Sequence, residues 1–294
     1  MKSLHIFGAY SLCGESLTFA FQKNNEEVII NKYSRNKNNN LFLNFNEPEN
    51  FNPPLEENST IISFGPIWLL SRFIKSLIEN NHPFLKYLDG IIACSSSSSI
   101  TKKYSYNQFD KILTQNLYAA EESLIKSCKE ISIKCIILQP SMIYGEIGTY
   151  KDKNIYKIKK LMRSLPIIFF PSISGIRQPI HALQLAEIIK YIINNNYSFL
   201  PNVHNGRMLI GGDEELTYEK MLFRIKDSLK QNDKAKNCLL LKIPNRIFLF
   251  LMSPLILISP KIYESFQRIN SNLSGFELPY KILKKKKTLF PLKD

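Results

Sequence analysis

The sequence predicts an α/β fold with a doubly wound parallel sheet and a smaller C-terminal lobe. Two observations lead to this prediction. Short apolar runs alternate with helical patterns along residues 1–140, which is typical of parallel strands joined by crossover helices. Hydrophobic residues make up 44% of the 294 residues, which is enough for a sizeable buried core.

Six strands and three helices are predicted in this first part of the chain. The strand segments are continuously apolar, as expected when helices cover both faces of a sheet. The predicted strands are Leu4–Phe7, Val28–Asn31, Asn40–Phe45, Thr60–Phe64, Gly90–Cys94 and Lys134–Leu138. The predicted helices are Glu15–Lys23, Ile67–Glu79 and Asp110–Ile131.

A glycine turn follows the first strand, in the order Gly8-Ala-Tyr-Ser-Leu-Cys-Gly14. A glycine after a strand permits a tight turn, and a later glycine lets the next helix pack closely against the strand. The free amides of that helix then favour a pyrophosphate. Ser11 stands where a middle glycine is expected. The turn predicts a Rossmann-type dinucleotide site, and a generic strand–turn–helix connection is the alternative.

The residues after the second strand bear on which dinucleotide binds. An acidic residue at the end of this strand would bind the ribose 2′-hydroxyl of NAD. The sequence instead has Asn31 and Lys32 there, followed by Ser34 and Arg35. A hydroxyl and a guanidinium suit a 2′-phosphate, so the sequence favours NADP over NAD. A solvated surface arginine is the alternative interpretation.

A serine cluster follows the fifth strand, in the run Ala93-Cys-Ser95-Ser-Ser97-Ser-Ser99-Ile-Thr-Lys102. In a sheet of this kind, ligands bind outside the carboxyl ends of the strands. Serine hydroxyls placed there can hydrogen-bond a hydroxyl or carbonyl group of a substrate. A flexible polar loop is the alternative.

The chain changes character after Pro140, where prolines become frequent and the segments less regular. We therefore predict an NAD(P)-binding core over residues 1–145. Residues 146–294 are expected to supply the remaining strands of the sheet and a substrate lobe.

The formal net charge of +14 allows an anionic partner. The one dense basic cluster is Lys281-Ile-Leu-Lys-Lys-Lys-Lys287, and no helix-turn-helix or zinc-finger spacing is present. Nucleic-acid binding is therefore not predicted. Five cysteines without a Cys-x-x-Cys motif indicate reduced thiols in a cytoplasmic protein, and four scattered histidines predict no metal site. The N-terminus does not have the pattern of a signal peptide.

The longest apolar stretch is Ile247–Ser259, which Pro254 interrupts. It is shorter than the ~20 residues that span a bilayer. Packing within the protein or in a dimer is one interpretation. The other interpretation is that the stretch and the basic cluster together make a weak contact with the inner face of a membrane.

Several stretches in order make the chain resemble the extended short-chain dehydrogenase/reductase superfamily, in its NAD-dependent epimerase/dehydratase branch. More narrowly, it resembles a nucleotide-sugar epimerase-like group found among bacterial surface-polysaccharide (O-antigen) genes. The resemblance covers residues 1 to about 225. The stretches that carry it are Gly8–Gly14, Ser63–Leu70, Ser95–Lys102, Ala119–Leu124, Gln139–Gly145, Arg177–His181 and Gly211–Tyr218.

The resemblance implies a role for each matching residue. The backbone of the first turn would hold the pyrophosphate, and three further segments would complete the cofactor site. The implied cofactor residues are Gly8, Ala9, Tyr10, Ser11, Leu12, Gly14, Ser34, Arg35, Ser63, Phe64, Gly65, Pro140, Ser141 and Ile143. The implied substrate residues are Ser96, Tyr144, Arg177 and His181, and Ser97 would polarise the reacting oxygen.

The superfamily's acid/base pair, Tyr-x-x-x-Lys, is not at its expected place. Counting from Ala119-Ala-Glu121, the tyrosine position falls on Leu113 and the lysine position on Leu117. Four-residue spacing would put such a pair on one helix face. A hypothesis is that Tyr104 or Tyr106, with Lys102 or Lys103, replaces it; of these we select Tyr106 and Lys102.

We therefore predict an NAD(P)-dependent oxidoreductase or epimerase that acts on a nucleotide-sugar. The missing pair favours one alternative, a non-catalytic NAD(P)-binding regulatory or assembly protein. A second alternative is a membrane-surface factor of polysaccharide assembly. Related enzymes often form homodimers through the helices predicted here at Ile67–Glu79 and Asp110–Ile131.

Overall fold

In the computed structural model, fifteen strands and ten α-helices are assigned among residues 1–23, 27–36, 41–102, 108–198, 203–259, 263, 266 and 268–292, which are the residues that the structure describes. The strands are β1 Lys2–Phe7, β2 Val28–Ser34, β3 Leu41–Phe42, β4 Ser59–Ser63, β5 Leu88–Cys94, β6 Lys134–Pro140, β7 Ile143–Tyr144, β8 Glu146–Ile147, β9 Tyr150–Lys151, β10 Ile167–Pro171, β11 Ile176–Arg177, β12 Ile180–His181, β13 Arg207–Ile210, β14 Leu216–Thr217 and β15 Leu239–Ile243. The helices are α1 Leu12–Gln22, α2 Ile67–Glu79, α3 Ser98–Thr101, α4 Gln108–Glu130, α5 Ile155–Ser164, α6 Ala182–Asn194, α7 Tyr218–Ser228, α8 Asn245–Met252, α9 Leu255–Ile258 and α10 Pro279–Leu283.

Seven strands form one parallel sheet in the order β3-β2-β1-β4-β5-β6-β13. The order reverses between β1 and β4, because the chain leaves β1 in one direction along the sheet and returns to β4 on the other side. Ligand crevices in open α/β sheets form at such a point, outside the carboxyl ends of the strands. The predicted doubly wound Rossmann-type sheet is confirmed.

Helices cover both faces of this sheet. Helices α2 and α4 pack against each other on one face, and α1 and α6 pack against each other on the opposite face. The buried residues of α2 are Ile67, Leu70, Phe73, Ile74 and Leu77, and their spacing places them on one side of the helix. A buried apolar core therefore lies between the sheet and each helix layer.

Most of the predicted bounds in residues 1–140 agree with the structure. Helix α2 has the predicted bounds, and α1 begins earlier, at Leu12, because Ser11 caps it: the Ser11 hydroxyl accepts the amide of Gly14. The predicted strand Asn40–Phe45 is shorter, since β3 ends at Phe42. The cause is a local turn in which the side chain of Asn44 accepts the amide of Asn46. Asn40 lies outside the described residues.

The prediction for the end of the second strand needs a correction. Strand β2 continues to Ser34, so Asn31 and Lys32 lie within it and not at its end. Asn31 is buried and donates to Ser3 and Glu56, while Lys32 pairs with Glu15 at 3.0 Å.

The chain divides into two compact units. Unit 1 comprises residues 1–140, 182–210 and 281–283 and contains the seven-stranded sheet. Unit 2 comprises residues 141–181, 211–280 and 284–294. Helix α6 and strand β13 lie beyond the predicted boundary at residue 145 and belong to unit 1, where β13 is the seventh strand.

Unit 2 has its own apolar core and short two-stranded sheets. Its buried cluster includes Ile155 and Met162 of α5, Phe170 of β10, and Met221 and Ile225 of α7. Strands β10 and β15 are parallel, with Ile167 opposite Leu239.

Candidate functional site

The turn between β1 and α1 has the geometry that a dinucleotide requires. Gly8 has a φ of +78°, a conformation that side chains other than glycine rarely adopt. A side chain at Gly14 would clash with the backbone of Ala9, so only glycine lets the helix lie this close to the turn. The Ser11 hydroxyl donates to the Gly8 carbonyl at 2.7 Å and fixes the turn from the inside. The Ser11 hydroxyl caps the amide of Gly14, and the amides of Leu12 and Cys13, which have no carbonyl one turn earlier to bond, can bind an anion.

A cavity of about 430 Å³ lies at this turn, where the strand order reverses. It is bounded by the turn, by the residues after β2 and β3, and by the start of α2. The residues that line it are Gly8, Tyr10, Tyr33, Ser34, Arg35, Leu43, Asn44, Phe45, Asn46, Gly65, Pro66 and Leu69. Five predicted cofactor residues, Gly8, Tyr10, Ser34, Arg35 and Gly65, therefore line one space.

Gly65 keeps this cavity open on the side of β4. A Cβ atom there would lie 2.8 Å from the ring of Phe45, which is too close. The amide of Gly65 bonds the buried hydroxyl of Ser63 at 3.3 Å, and the amide of Phe64 bonds the carbonyl of Phe7 at 2.9 Å. Ser63 and Phe64 thus fix the backbone next to the cavity, and the residues present fit a dinucleotide.

Arg35 is the first residue after β2 and is exposed at the cavity. Among the residues that the structure describes, no acidic side chain pairs with its guanidinium. The neighbouring cation, Lys32, is instead neutralised by Glu15. The hydroxyl of Ser34 accepts the amide of Asn36 at 3.0 Å, which turns the chain after the strand. Among the described residues that line the cavity, Arg35 is thus the cation available to a phosphate.

Cys13 lies in the first turn of α1, where its thiol is favoured over its thiolate. Burial raises the pKa of its thiol to about 12, so the thiolate is rare at neutral pH. Burial likewise raises the pKa of Cys94 at the end of β5. Across the described chain, no group of three or more His, Cys, Asp or Glu side chains is placed to hold a metal ion.

The serine cluster lies directly after β5, as the sequence predicted, and most of its hydroxyls bond within the protein. Ser95 donates to Glu121 at 2.5 Å, and Ser99 donates to the carbonyl of Ser96 at 3.0 Å. The Ser96 hydroxyl accepts the amide of Ser98 at 3.2 Å. Ser97 is held by its backbone, since its amide bonds the carbonyl of Pro140 at 3.2 Å. This fixes the end of β5 against the end of β6.

A buried polar network lies beneath the cluster. The carboxylate of Glu121, which is fully buried in α4, accepts the side-chain amide of Gln139 at 2.9 and 3.0 Å and Nε of Arg207 at 2.8 Å. The amide of Gln139 also donates to Ser99 at 2.9 Å. The network joins α4, β6, β13 and the serine turn. It was not predicted, although Glu121 follows two alanines and Gln139 ends an apolar strand.

The positions of the missing acid/base pair are used for packing. Leu117 is 4% exposed and belongs to the core of unit 1, and Leu113 packs against the same core. Tyr118 turns the other way and lies under the guanidinium of Arg207, 5.1 Å from the ring centre. Lys102 forms an ion pair with Asp110 at 2.8 Å. Tyr104 and Tyr106, and with them the predicted acid/base tyrosine, lie outside the described residues, as does Lys103.

The other predicted residues divide between the units. Pro140 ends β6 in unit 1, whereas Ser141 and Ile143 lie in unit 2. The hydroxyl of Ser141 donates to the carbonyl of Gln178, and Ile143 pairs with Ile180. Their approach to a nicotinamide stays a prediction.

The substrate residues predicted in unit 2 are largely buried there. Tyr144 and His181 pack edge to face with 4.9 Å between ring centres, and the Tyr144 hydroxyl accepts the amide of Leu292. Arg177 donates to the carbonyls of Ile176, at 2.8 Å, and Ser271. These bonds hold unit 2 together, and the substrate roles of these residues stay predictions.

The segment 43–46 after β3 is the part of the cavity wall that sequence reasoning missed. Residues 43–45 fall within the predicted strand Asn40–Phe45, which gives no indication of a ligand wall. The Asn44–Glu47 contact at 2.7 Å and the Asn44–Asn46 turn hold it at the cavity. The signal present in the sequence was the asparagine pair around Phe45.

Comparisons of sequence and of structure give different results. No protein-family model matches the sequence, and no curated protein matches it in sequence. The structure is similar to UDP-N-acetylglucosamine 4-epimerase from Bacillus cereus, with a TM-score of 0.58, 14% identity, and coverage of 82% of this chain and 86% of the epimerase. It is similar to the NADP-bound GDP-mannoheptose C4 reductase from Campylobacter jejuni, with a TM-score of 0.59, 13% identity, and coverage of 83% and 87%.

A third similar structure is dTDP-4-dehydrorhamnose reductase from Yersinia enterocolitica, with a TM-score of 0.56 and 17% identity over 84% of this chain and 86% of that one. At such identities the likeness establishes the fold. The Rossmann-type architecture implied by the sequence resemblance is thus confirmed, and the chain has the α/β fold of nucleotide-sugar epimerases and reductases.

Proposed function

We propose that the chain is an NAD(P)-dependent oxidoreductase or epimerase of the extended short-chain dehydrogenase/reductase superfamily, acting on a nucleotide-sugar in the cytoplasm. The observation that carries the proposal is the cavity at the strand-order reversal, where Gly8, Arg35 and Gly65 meet. The fold supports it, because the similar structures include two nucleotide-sugar reductases and an epimerase. The sequence resemblance to surface-polysaccharide genes leads us to place the reaction in O-antigen synthesis.

We assign the cavity to NADP in preference to NAD. Arg35 follows β2 where an acidic residue would bind the ribose of NAD, and it is exposed to the cavity. A guanidinium binds a phosphate with charge-assisted hydrogen bonds, which a free 2′-hydroxyl cannot match. The amides at the start of α1 would bind the pyrophosphate.

The substrate side of the proposal is centred on Ser97. When bound, a nicotinamide accepts or donates the hydride that a sugar carbon loses or gains. The chain would then supply the hydroxyl of Ser97 to bond the reacting oxygen of the sugar. The bonds of Ser95, Ser99 and the Ser97 amide hold the turn in place. Lys102 and Tyr106 complete the hypothesis as a cation and an acid/base group.

A homodimer is proposed through helices α2 and α4. A groove of about 500 Å³ runs between them, lined among others by Trp68, Phe109 and Ile112. All three side chains are exposed, and exposed apolar surface of this kind marks an interaction site.

Titration calorimetry followed by an activity assay tests the proposal. We expect NADPH to bind with one site per chain, and oxidation of NADPH to require a nucleotide-diphosphate sugar with a keto group. We expect Ser97→Ala to lower turnover by about 100-fold without changing the affinity for NADPH, with Ser98→Ala as the matched control. Absence of NADPH and NADH binding by the folded protein would overturn the proposal.

A second function is favoured by a specific observation, the packing of Leu113 and Leu117. Since the usual acid/base positions belong to the core, the chain is also suited to bind NAD(P) without turnover, as a regulatory or assembly protein. Tight NADPH binding with no oxidation across a panel of nucleotide-sugars would select this second function.

A further inference from the structure

The helical segment that follows β15 has an exposed apolar face in unit 2. Phe250 is 76% exposed, Leu257 is 92% exposed and Ile258 is 75% exposed, which is unusual for large apolar side chains. Ile247 and Leu251 are exposed as well. We name these five residues the α8–α9 face.

The five residues lie on one side of a nearly continuous helix. Ser253 and Pro254, which separate α8 from α9, both keep right-handed helical backbone angles. Positions 247, 250, 251, 257 and 258 follow the spacing i, i+3, i+4, i+10 and i+11, which places them on one helical face. The face therefore runs along α8 and continues at Leu257 and Ile258, while Ile256 is exposed on another side of α9.

The opposite side of α8 is fixed to unit 2, which determines which side of α8 faces outward. Phe248 is 1% exposed, and helix α8 packs against β10. Asn245 begins the helix: its side-chain oxygen accepts the amide of Ile173 at 2.8 Å, and its side-chain nitrogen donates to the carbonyl of Ile173 at 3.0 Å. Both bonds join the helix to the segment after β10, so the orientation is built into the fold.

The sheet next to this segment continues the apolar surface. Ile167 pairs with Leu239 and Phe169 with Leu241 in the register of β10 and β15, and all four side chains are exposed. The chain passes from β15 into α8 through one residue, Pro244.

The charge of the protein is concentrated on the unit that carries this face. Unit 2 holds 22 Lys and Arg against 11 Asp and Glu, a net charge of +11, whereas unit 1 holds 17 against 14, a net charge of +3. Arg246 is exposed next to Ile247, and Lys284 to Lys287 are exposed in the same unit. An apolar helix face on a strongly cationic unit is complementary to a surface with an apolar interior and anionic groups on its outside.

We propose that the α8–α9 face docks on the surface of an anionic phospholipid bilayer. The apolar side chains would enter the boundary between headgroups and acyl chains, and Arg246 and the other cations of unit 2 would be attracted to the lipid phosphates. Among the described residues, no helix is both long and apolar enough to cross a membrane, so the contact would lie in the plane of the interface. The inference is independent of the reaction proposed above.

Vesicle sedimentation of the full chain tests the inference. The probes are phosphatidylcholine vesicles with and without phosphatidylglycerol, at low and at high salt. We expect binding to the anionic vesicles only, and loss of that binding at high salt, because salt screens the attraction of exposed charges. We expect Phe250→Ser with Leu257→Ser to weaken partitioning by at least about tenfold.

A matched control comes from unit 1. Phe19 and Leu55 are exposed there as well, so Phe19→Ser with Leu55→Ser removes a similar pair of apolar side chains and is expected to leave vesicle binding unchanged. Arg246→Glu is expected to weaken binding to anionic vesicles. Circular dichroism and NADPH titration check that the variants are folded.

Three results would overturn the inference. One is the absence of sedimentation with anionic vesicles. Another is equal binding to neutral vesicles that salt does not change. The third is a protein that binds no vesicles and whose Phe250→Ser, Leu257→Ser variant changes from dimer to monomer in analytical ultracentrifugation. That result would assign the α8–α9 face to contact with a second copy of the chain.

Discussion

The ends of β1 and β5 lie at the same edge of the parallel sheet, and they use their polar groups in different ways. The turn after β1 opens on a cavity with a cation, Arg35, exposed at it. After β5, the hydroxyls of Ser95 and Ser99 bond a network centred on buried Glu121 and Gln139. We propose that the end of β1 binds a ligand. At the end of β5, most of the polar groups are used for hydrogen bonds within the protein.

This difference separates the two halves of the proposed function. Dinucleotide binding depends on backbone geometry and glycines, which the chain has. The acid/base pair of the superfamily that the chain resembles would fall on α4, where this chain has the packing residues Leu113 and Leu117. The following experiments test whether the two ends differ in this way.

The largest effect is expected from removing the centre of the network. Glu121→Ala removes the fully buried carboxylate that the part-buried Arg207 guanidinium and the Gln139 amide share, so we expect the free energy of unfolding to fall by about 3–5 kcal/mol. Urea unfolding measures this. Glu122 bonds the same arginine from the surface, and Glu122→Ala is expected to cost less than about 1 kcal/mol. Equal losses in the two variants would show that Glu121 is not the centre of the network.

The second effect concerns Leu117, the position at which the resemblance would place the lysine of the acid/base pair. Because Leu117 is part of the core, Leu117→Ala is expected to lower the free energy of unfolding by about 2–4 kcal/mol while leaving NADPH affinity unchanged. Tyr118→Ala, at an exposed neighbour, is the control. A loss of NADPH affinity in the folded Leu117→Ala variant would instead place this position in the cofactor site.

The third effect comes from a histidine inside β1, in the interior of the sheet. His5 is fully buried, with Nδ1 2.8 Å from the hydroxyl of Tyr33 and Nε2 near Ser3 and Ser59, and burial lowers its pKa to about 4. The unfolded chain takes up the proton near pH 6.5, but the folded chain does not. Acidification from pH 6.5 to 5 is therefore expected to lower the free energy of unfolding by about 2 kcal/mol through this residue.

Urea unfolding at several pH values measures this effect. His5→Asn, which cannot take up the proton, is expected to show a shallower loss of stability over the same range. Parallel curves for the two proteins would contradict a neutral buried histidine.

The smallest effect tests whether Arg35, the cation next to the turn after β1, binds the 2′-phosphate of NADP. Arg35→Ala is expected to weaken NADPH binding by about tenfold, or about 1.4 kcal/mol, and to leave NADH binding nearly unchanged. Titration calorimetry with both dinucleotides measures the difference. Equal weakening of NADPH and NADH binding would mean that Arg35 contacts a group that the two dinucleotides have in common.

Local patterns in the sequence were sufficient to predict six of the seven strands in the sheet of unit 1, and β13 was not predicted. Continuous apolar runs and the α2 stripe from Ile67 to Leu77 act locally, so alternation alone indicated strands and helices. The end of β2 was misplaced because polar Asn31 and Lys32 resemble a strand end. In the folded chain Asn31 is satisfied by Ser3 and Glu56, which come from distant positions.

The residues of the candidate site could be predicted where the backbone conformation requires a particular residue type. Gly8, Gly14 and Gly65 are needed for steric reasons, and Arg35 follows from its place after a strand. The network of Glu121, Gln139 and Arg207 was not predictable, because it joins α4, β6 and β13 across long sequence distances. The exposed α8–α9 face was also ambiguous, since an apolar run does not show whether it is covered.

Hydrogen exchange of the full chain, with and without NADPH, tests the central claim most directly. We expect NADPH to slow amide exchange in residues 8–14, 34–36, 43–46 and 63–66, the segments around the cavity, and to leave the α2–α4 groove unchanged. Exchange that NADPH does not alter in these segments, or slows only elsewhere, would contradict the assignment of this cavity to a nicotinamide dinucleotide.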